Sequence, residues 1–69
     1  MPYKSKEVLK ALRALDFSII SQTGSHLKLR DQKGHTVILP LHNVTLKKGL
    51  FHGILKQAGI TEADFRKYK

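Results

Sequence analysis

The chain has no cysteine and no tryptophan among its 69 residues. Without thiols there is no disulfide staple and no thiolate nucleophile, and a zinc site would need an all-histidine or carboxylate ligand set. Acidic residues are scarce: five Asp and Glu stand against thirteen Lys and Arg, giving a formal net charge of +8. Long apolar runs are missing as well, and residues 1–6 are not followed by a signal-type apolar segment. A single soluble, cytosolic domain over 1–69 is expected, with no membrane association and a core too small for a deep enclosed pocket. Aromatics are limited to two tyrosines and three phenylalanines, so the stacking platforms of sequence-reading single-strand binders are sparse. There is no phosphate-cradling glycine-rich loop, no internal repeat and no low-complexity tract.

What is present reads as a short run of alternating elements. Ser5 is placed to cap a helix through its hydroxyl, with Glu7 in the first turn where negative charge suits the positive helix end. Val8, Leu9, Leu12 and Leu15 then recur at helical spacing, predicting a first helix over 5–15. Residues 17–22 change to a strand-like composition, closed by Thr23-Gly24, and 26–30 form a second strand. Asp31-Gln32-Lys33-Gly34 reads as a hairpin turn, and the β-branched, apolar 35–39 as a third strand ended by Pro40. Leu50, Phe51, Ile54, Leu55 and Ala58 restore helical spacing up to Gly59, a C-terminal stop. Thr61 three residues before Asp64 resembles a capping box and opens a short last helix containing Phe65 and Tyr68. The fold class that follows is α+β: helices packed on the apolar face of an antiparallel three-stranded sheet, whose other face stays open.

That open face carries the chemistry. Side chains alternate along a strand, so His26, Lys28 and Arg30 form one row while Leu27 and Leu29 form the opposite one. An imidazole beside two fixed cations on a basic chain suits proton transfer next to a bound phosphate. RNA cleavage needs no metal if a base takes the proton of the ribose 2′-hydroxyl and cations stabilise the charge developing on the phosphate. His26 is the candidate base, and Lys28 and Arg30 the candidate phosphate ligands, Arg30 offering a bidentate fork. The plain alternative is an exposed strand histidine with no special task.

Lys47 and Lys48 precede the second helix, where free backbone N–H groups and the helix dipole already favour an anion; they are candidate RNA-phosphate ligands or simply a solvated helix start. Ser25, beside His26, lacks an acidic orienter for a hydrolase triad and is a supporting residue only. His42, in the loop after Pro40, either lines the same basic surface or packs the loop. His35 and His52 show no ligand spacing with the others, so no metal and no cofactor is expected.

Read in order, these pieces resemble the HicA, or YcfA-like, family of small bacterial toxins. The likeness runs over nearly the whole chain: an N-terminal helix with Lys10-Ala11-Leu12, Gly24-Ser25-His26 entering a strand, Gly34 before Val37 and Pro40, His42, and Gly49-Leu50 leading to 54–60. The resemblance implies a fold similar to the double-stranded-RNA-binding domain. It implies a type II toxin that cleaves mRNA without metal and so inhibits translation in the bacterial cytoplasm under stress, neutralised by a HicB-like antitoxin. It also implies that the histidine of Gly-Ser-His, His26 here, is catalytic. The competing reading is a non-cleaving binder of double-stranded RNA; a third is a structural protein that acts only through its partner. A basic toxin suits an acidic inhibitor on the same surface, with the free toxin monomeric and the toxin–antitoxin complex a larger hetero-oligomer.

Overall fold

The helix over Ser5–Ala14 (α1) follows from its apolar stripe, on which Val8, Ala11 and Leu12 are buried. The computed structural model describes residues 3–69. Lys4, and not Ser5, is the N-cap, and its backbone N–H donates to the Glu7 carboxylate at 3.0 Å. Ser5 is instead a buried helical residue whose hydroxyl donates to the His42 carbonyl (2.5 Å) and accepts from the Val44 N–H (3.0 Å). A hydroxyl just before an apolar stripe looks like a cap in sequence; here its partners lie in a loop 37 and 39 residues away. The helix ends with Asp16 at φ +71°, the Phe17 N–H reaching back to the Leu12 carbonyl (2.9 Å) and that of Asp16 to Arg13 (3.2 Å). This is a Schellman ending, with aspartate where glycine is usual.

Three antiparallel strands follow, Ser18–Thr23 (β1), His26–Arg30 (β2) and Thr36–Pro40 (β3), in the spatial order β1-β2-β3. Gly24 and Ser25 make a two-residue hairpin loop between the paired Thr23 and His26, with Gly24 at φ +57°. A positive φ at the first loop position is the requirement of a type II′ turn, whose twist matches that of the strands. β1 carries a bulge between Ile19 and Ser21. Pro40 forms the last residue of β3 rather than lying beyond it, which an edge strand permits because a proline there need not donate. The 31–35 loop is organised by Asp31, whose Oδ1 accepts the N–H groups of Lys33 (3.1 Å) and His35 (2.8 Å) while Oδ2 lies 2.8 Å from His35 Nδ1. Burial works to raise the Asp31 carboxyl, but the hydrogen bonds from His35 and Lys33 outweigh it and hold the group below the ordinary carboxylate range.

Residues 41–47 are pinned to the start of α1 by Ser5 N–H to the Val44 carbonyl (2.9 Å), Leu46 N–H to the Tyr3 carbonyl (2.8 Å) and Lys6 N–H to Asn43 Oδ1 (3.2 Å). They lead into Lys48–Ala58 (α2), which packs against β3 and ends at Gly59, φ +70°. Glu62–Tyr68 (α3) packs against α1. It begins with a reciprocal capping box: Thr61 Oγ1 accepts the Asp64 N–H (3.1 Å) and Asp64 Oδ2 accepts that of Thr61 (3.0 Å). The Thr61 hydrogen bonds hold the Asp64 carboxyl below its ordinary range. The core joins Leu27, Leu29, Val37 and Leu39 of the sheet to the helices, with Tyr3, Phe51 and Phe65 as an aromatic centre whose ring centroids lie 4.7–5.1 Å apart. The order is thus helix, three strands, two helices, an α+β fold as the sequence predicts.

Candidate functional site

The apolar pull of Leu27 and Leu29, both buried, turns the other parity of β2 outward. His26 and Arg30 are exposed and Lys28 is half-buried. The register sets the neighbours of that row: Thr23, Ser21 and Ser18 on the β1 side, and Pro40, Ile38 and Thr36 on the β3 side. No carboxylate belongs to this set of nine positions, so the two cations have no competing anion on their own sheet surface. Arg30 is steadied by a 3.3 Å hydrogen bond from Nε to Thr36 Oγ1.

The histidines divide by what holds them. His35 has Asp31 at 2.8 Å, and His52 lies 3.7 Å from Glu62. Among the described residues, the ring of His26 has no such partner, nor has the Lys28 ammonium. His26 instead forms one wall of a cavity of about 290 Å³ that it shares with Ile38 of β3 and with Gly49, Leu50, Gly53 and Gln57 of α2.

The other candidates are not gathered there. Lys47 is the N-cap of α2 and Lys48 its first residue, so the helix starts earlier than its apolar spacing suggests and Gly49 lies inside the first turn. The two lysines border a separate hollow of about 670 Å³ with Tyr3, Phe51, His52 and Glu62. Lys47 and Lys48 therefore line a different concavity from the His26 row. Ser25 sits in the hairpin loop, exposed, its carbonyl accepting the Leu41 N–H at 2.7 Å. That bond brings 40–42 alongside the Gly-Ser-His turn, and the His42 side chain is exposed just beyond. Among the described residues no three His, Asp or Glu side chains converge in a way that could hold a metal ion. Among the described residues no helix is long and apolar enough to cross a membrane.

Two features escape sequence reasoning. One is the His35–Asp31 pair, whose five-residue loop hides the contact behind ordinary turn chemistry. The other is the cavity beside His26, which depends on α2 lying along β3. Its only local signal is the spacing of Gly49, Gly53 and Gln57 at four-residue intervals, one face of a helix.

A family model described as the HicA toxin of bacterial toxin–antitoxin systems matches residues 5–60. No curated protein matches the chain. The matched span takes in α1, the whole sheet with Gly24-Ser25-His26, and α2 through its Gly59 stop. The chain belongs to the HicA family of toxins from bacterial toxin–antitoxin systems.

Proposed function

We propose that the chain is a metal-independent endoribonuclease that cleaves mRNA at the exposed face of β2 and thereby inhibits translation. The observation that carries this reading is the row itself: an imidazole free of any carboxylate partner among the described residues, followed on the same face by Lys28 and Arg30. Alternate residues of a strand lie about 7 Å apart, so a phosphodiester backbone running along β2 meets imidazole, ammonium and guanidinium in succession.

Neutral His26 takes the proton of a ribose 2′-hydroxyl, and the 2′-oxygen attacks the adjacent phosphorus. Lys28 stabilises the charge gathering on the non-bridging oxygens, and Arg30 holds the neighbouring phosphate. The P–O5′ bond breaks, leaving a 2′,3′-cyclic phosphate and a 5′-hydroxyl. The leaving oxygen takes its proton from water or a lysine, because one histidine serves poorly as base and acid at once; turnover is accordingly slow. A HicB-like antitoxin with an acidic surface inhibits by covering this row, charge complementarity making the association fast and salt-sensitive.

The test is cleavage of an mRNA by the purified chain and by His26→Ala, with the product ends identified. Loss of a general base predicts a fall of about 10²–10⁴-fold, with 5′-hydroxyl ends from the wild type. Equal cleavage by the variant, or 5′-phosphate ends, overturns the mechanism. RNA binding by both proteins with cleavage by neither gives the double-stranded-RNA binder instead.

A further inference from the structure

The cavity beside His26 is walled on one side by Ile38 and on the other by Leu50, two large apolar side chains that are 42 % and 49 % exposed. Exposed apolar surface gathered at a concavity marks a place where something binds. Between these walls lie Gly49 and Gly53 of α2. Neither has a positive φ, and a Cβ built on either meets nothing within 4 Å. Backbone conformation does not call for glycine at these positions, nor does close packing, yet glycine weakens a helix interior. What the glycines do leave is a low floor open to solvent, and one turn beyond Gly53 the exposed Gln57 lines the same space.

We propose that this groove receives the base of the nucleotide whose 2′-hydroxyl faces His26, with Ile38 and Leu50 flanking its planes and Gln57 reading its edge. The inference rests on the cleavage reading above and adds the specificity element to it. A single-stranded base next to the reacting ribose needs an apolar slot, and the usual one is aromatic. Here Tyr3, Phe17, Phe51 and Phe65 are all buried and Tyr68 lies on α3. Among the described residues the exposed face of the sheet therefore has no phenylalanine or tyrosine ring, and the aliphatic groove is a concavity that contains His26. The formal charge of +8 and the carboxylate-free row beside it favour a polynucleotide over an apolar peptide. The Gln57 amide presents both a donor and an acceptor, the complement of a base edge.

The experiment uses the full chain and DNA tetranucleotides carrying one ribonucleotide, so that cleavage by a 2′-hydroxyl occurs at one place only. The ribonucleotide bears adenine, guanine, cytosine, uracil or no base. Gly53→Leu fills the groove without a clash at Cβ and keeps a good helix former; its thermal midpoint is checked against wild type. The expected result is at least a tenfold fall in the ratio of base-bearing to abasic kcat/KM for Gly53→Leu, and a change in rank order among the four bases for Gln57→Ala. An unchanged ratio, or wild-type cleavage of abasic and base-bearing strands alike, overturns the groove. Binding of 2′-O-methyl RNA tetranucleotides, followed by the amide resonances of Gly49 and Leu50, which wild type and Gly53→Leu share, separates this from the chemistry. Base-dependent binding lost in Gly53→Leu, with no cleavage by wild type, keeps the groove and removes the nuclease. Cleavage abolished by His26→Ala but indifferent to the base keeps the nuclease and removes the groove.

Discussion

Two residues adopt the left-handed backbone at equivalent helix ends, and their side chains decide what that costs. Asp16 closes α1 at φ +71° and Gly59 closes α2 at φ +70°. An L side chain in this region is disfavoured, so Asp16→Gly is expected to raise stability by roughly 0.5–1 kcal/mol in urea denaturation once the added freedom of the unfolded chain has been subtracted. Gly59→Ala runs the other way. Its Cβ falls 2.7 Å from His35 Nε2, adding a contact to the backbone cost, and a loss of about 1–2 kcal/mol or more is expected. In a double-mutant cycle, His35→Ala recovers the contact part and leaves the conformational part, so the two changes are not additive. Gly59 is legible in sequence because glycine after an apolar helical run is the usual stop. Asp16 is not, since aspartate is common in any turn and its φ is set by the Leu12–Phe17 hydrogen bond that closes the helix.

At the level of elements, two carboxylates each hold one piece of local structure: Asp31 organises the loop between β2 and β3, and Asp64 the start of α3. Both are held below the ordinary carboxylate value of 3.8 in the fold. The unfolded chain therefore takes up protons at these positions first as the medium is acidified. Their contribution is complete above the ordinary value and is lost as pH falls through the lowered folded values. The wild type is expected to lose stability below about pH 4 more steeply than Asp31→Asn/Asp64→Asn, measured by urea midpoints between pH 5 and 2. The sequence shows these elements unevenly. β2 is read to the residue because Leu27 and Leu29 alternate with polar partners, and the Thr61-to-Asp64 box is complete within four residues. The N-cap of α1 and the start of α2 are misplaced because lysine at each N-cap gives no side-chain signal, and because Ser5 bonds a loop distant in sequence. The His26 row follows from strand parity alone. The groove needs the placement of α2 against β3, which no spacing within one element contains.

Four of the molecule's thirteen cations stand in two pairs, one on the sheet face and one at the start of α2, and that division has a measurable consequence. Lys28 and Arg30 stand on the sheet face, while Lys47 and Lys48 border the hollow lined by Tyr3 and Phe51. Binding to single-stranded RNA weakens with salt by a slope of about 0.7 in log K per log [salt] for each neutralised phosphate. For a four-nucleotide 2′-O-methyl strand, which spans one face only, Lys28→Gln/Arg30→Gln is expected to flatten the slope by about 1.4 while Lys47→Gln/Lys48→Gln leaves it unchanged. A strand of about twelve nucleotides is long enough to pass round the first turn of α2. With it, the Lys47 and Lys48 substitutions are expected to lower the slope by a comparable amount, at equal weight for every base sequence, since phosphate contacts position a strand without reading it. Filter binding from 50 to 300 mM salt tests both lengths. A short strand whose slope depends on Lys47 and Lys48 but not on Lys28 and Arg30 places the RNA on the α2 hollow, away from His26, and leaves the imidazole with no phosphate to act on.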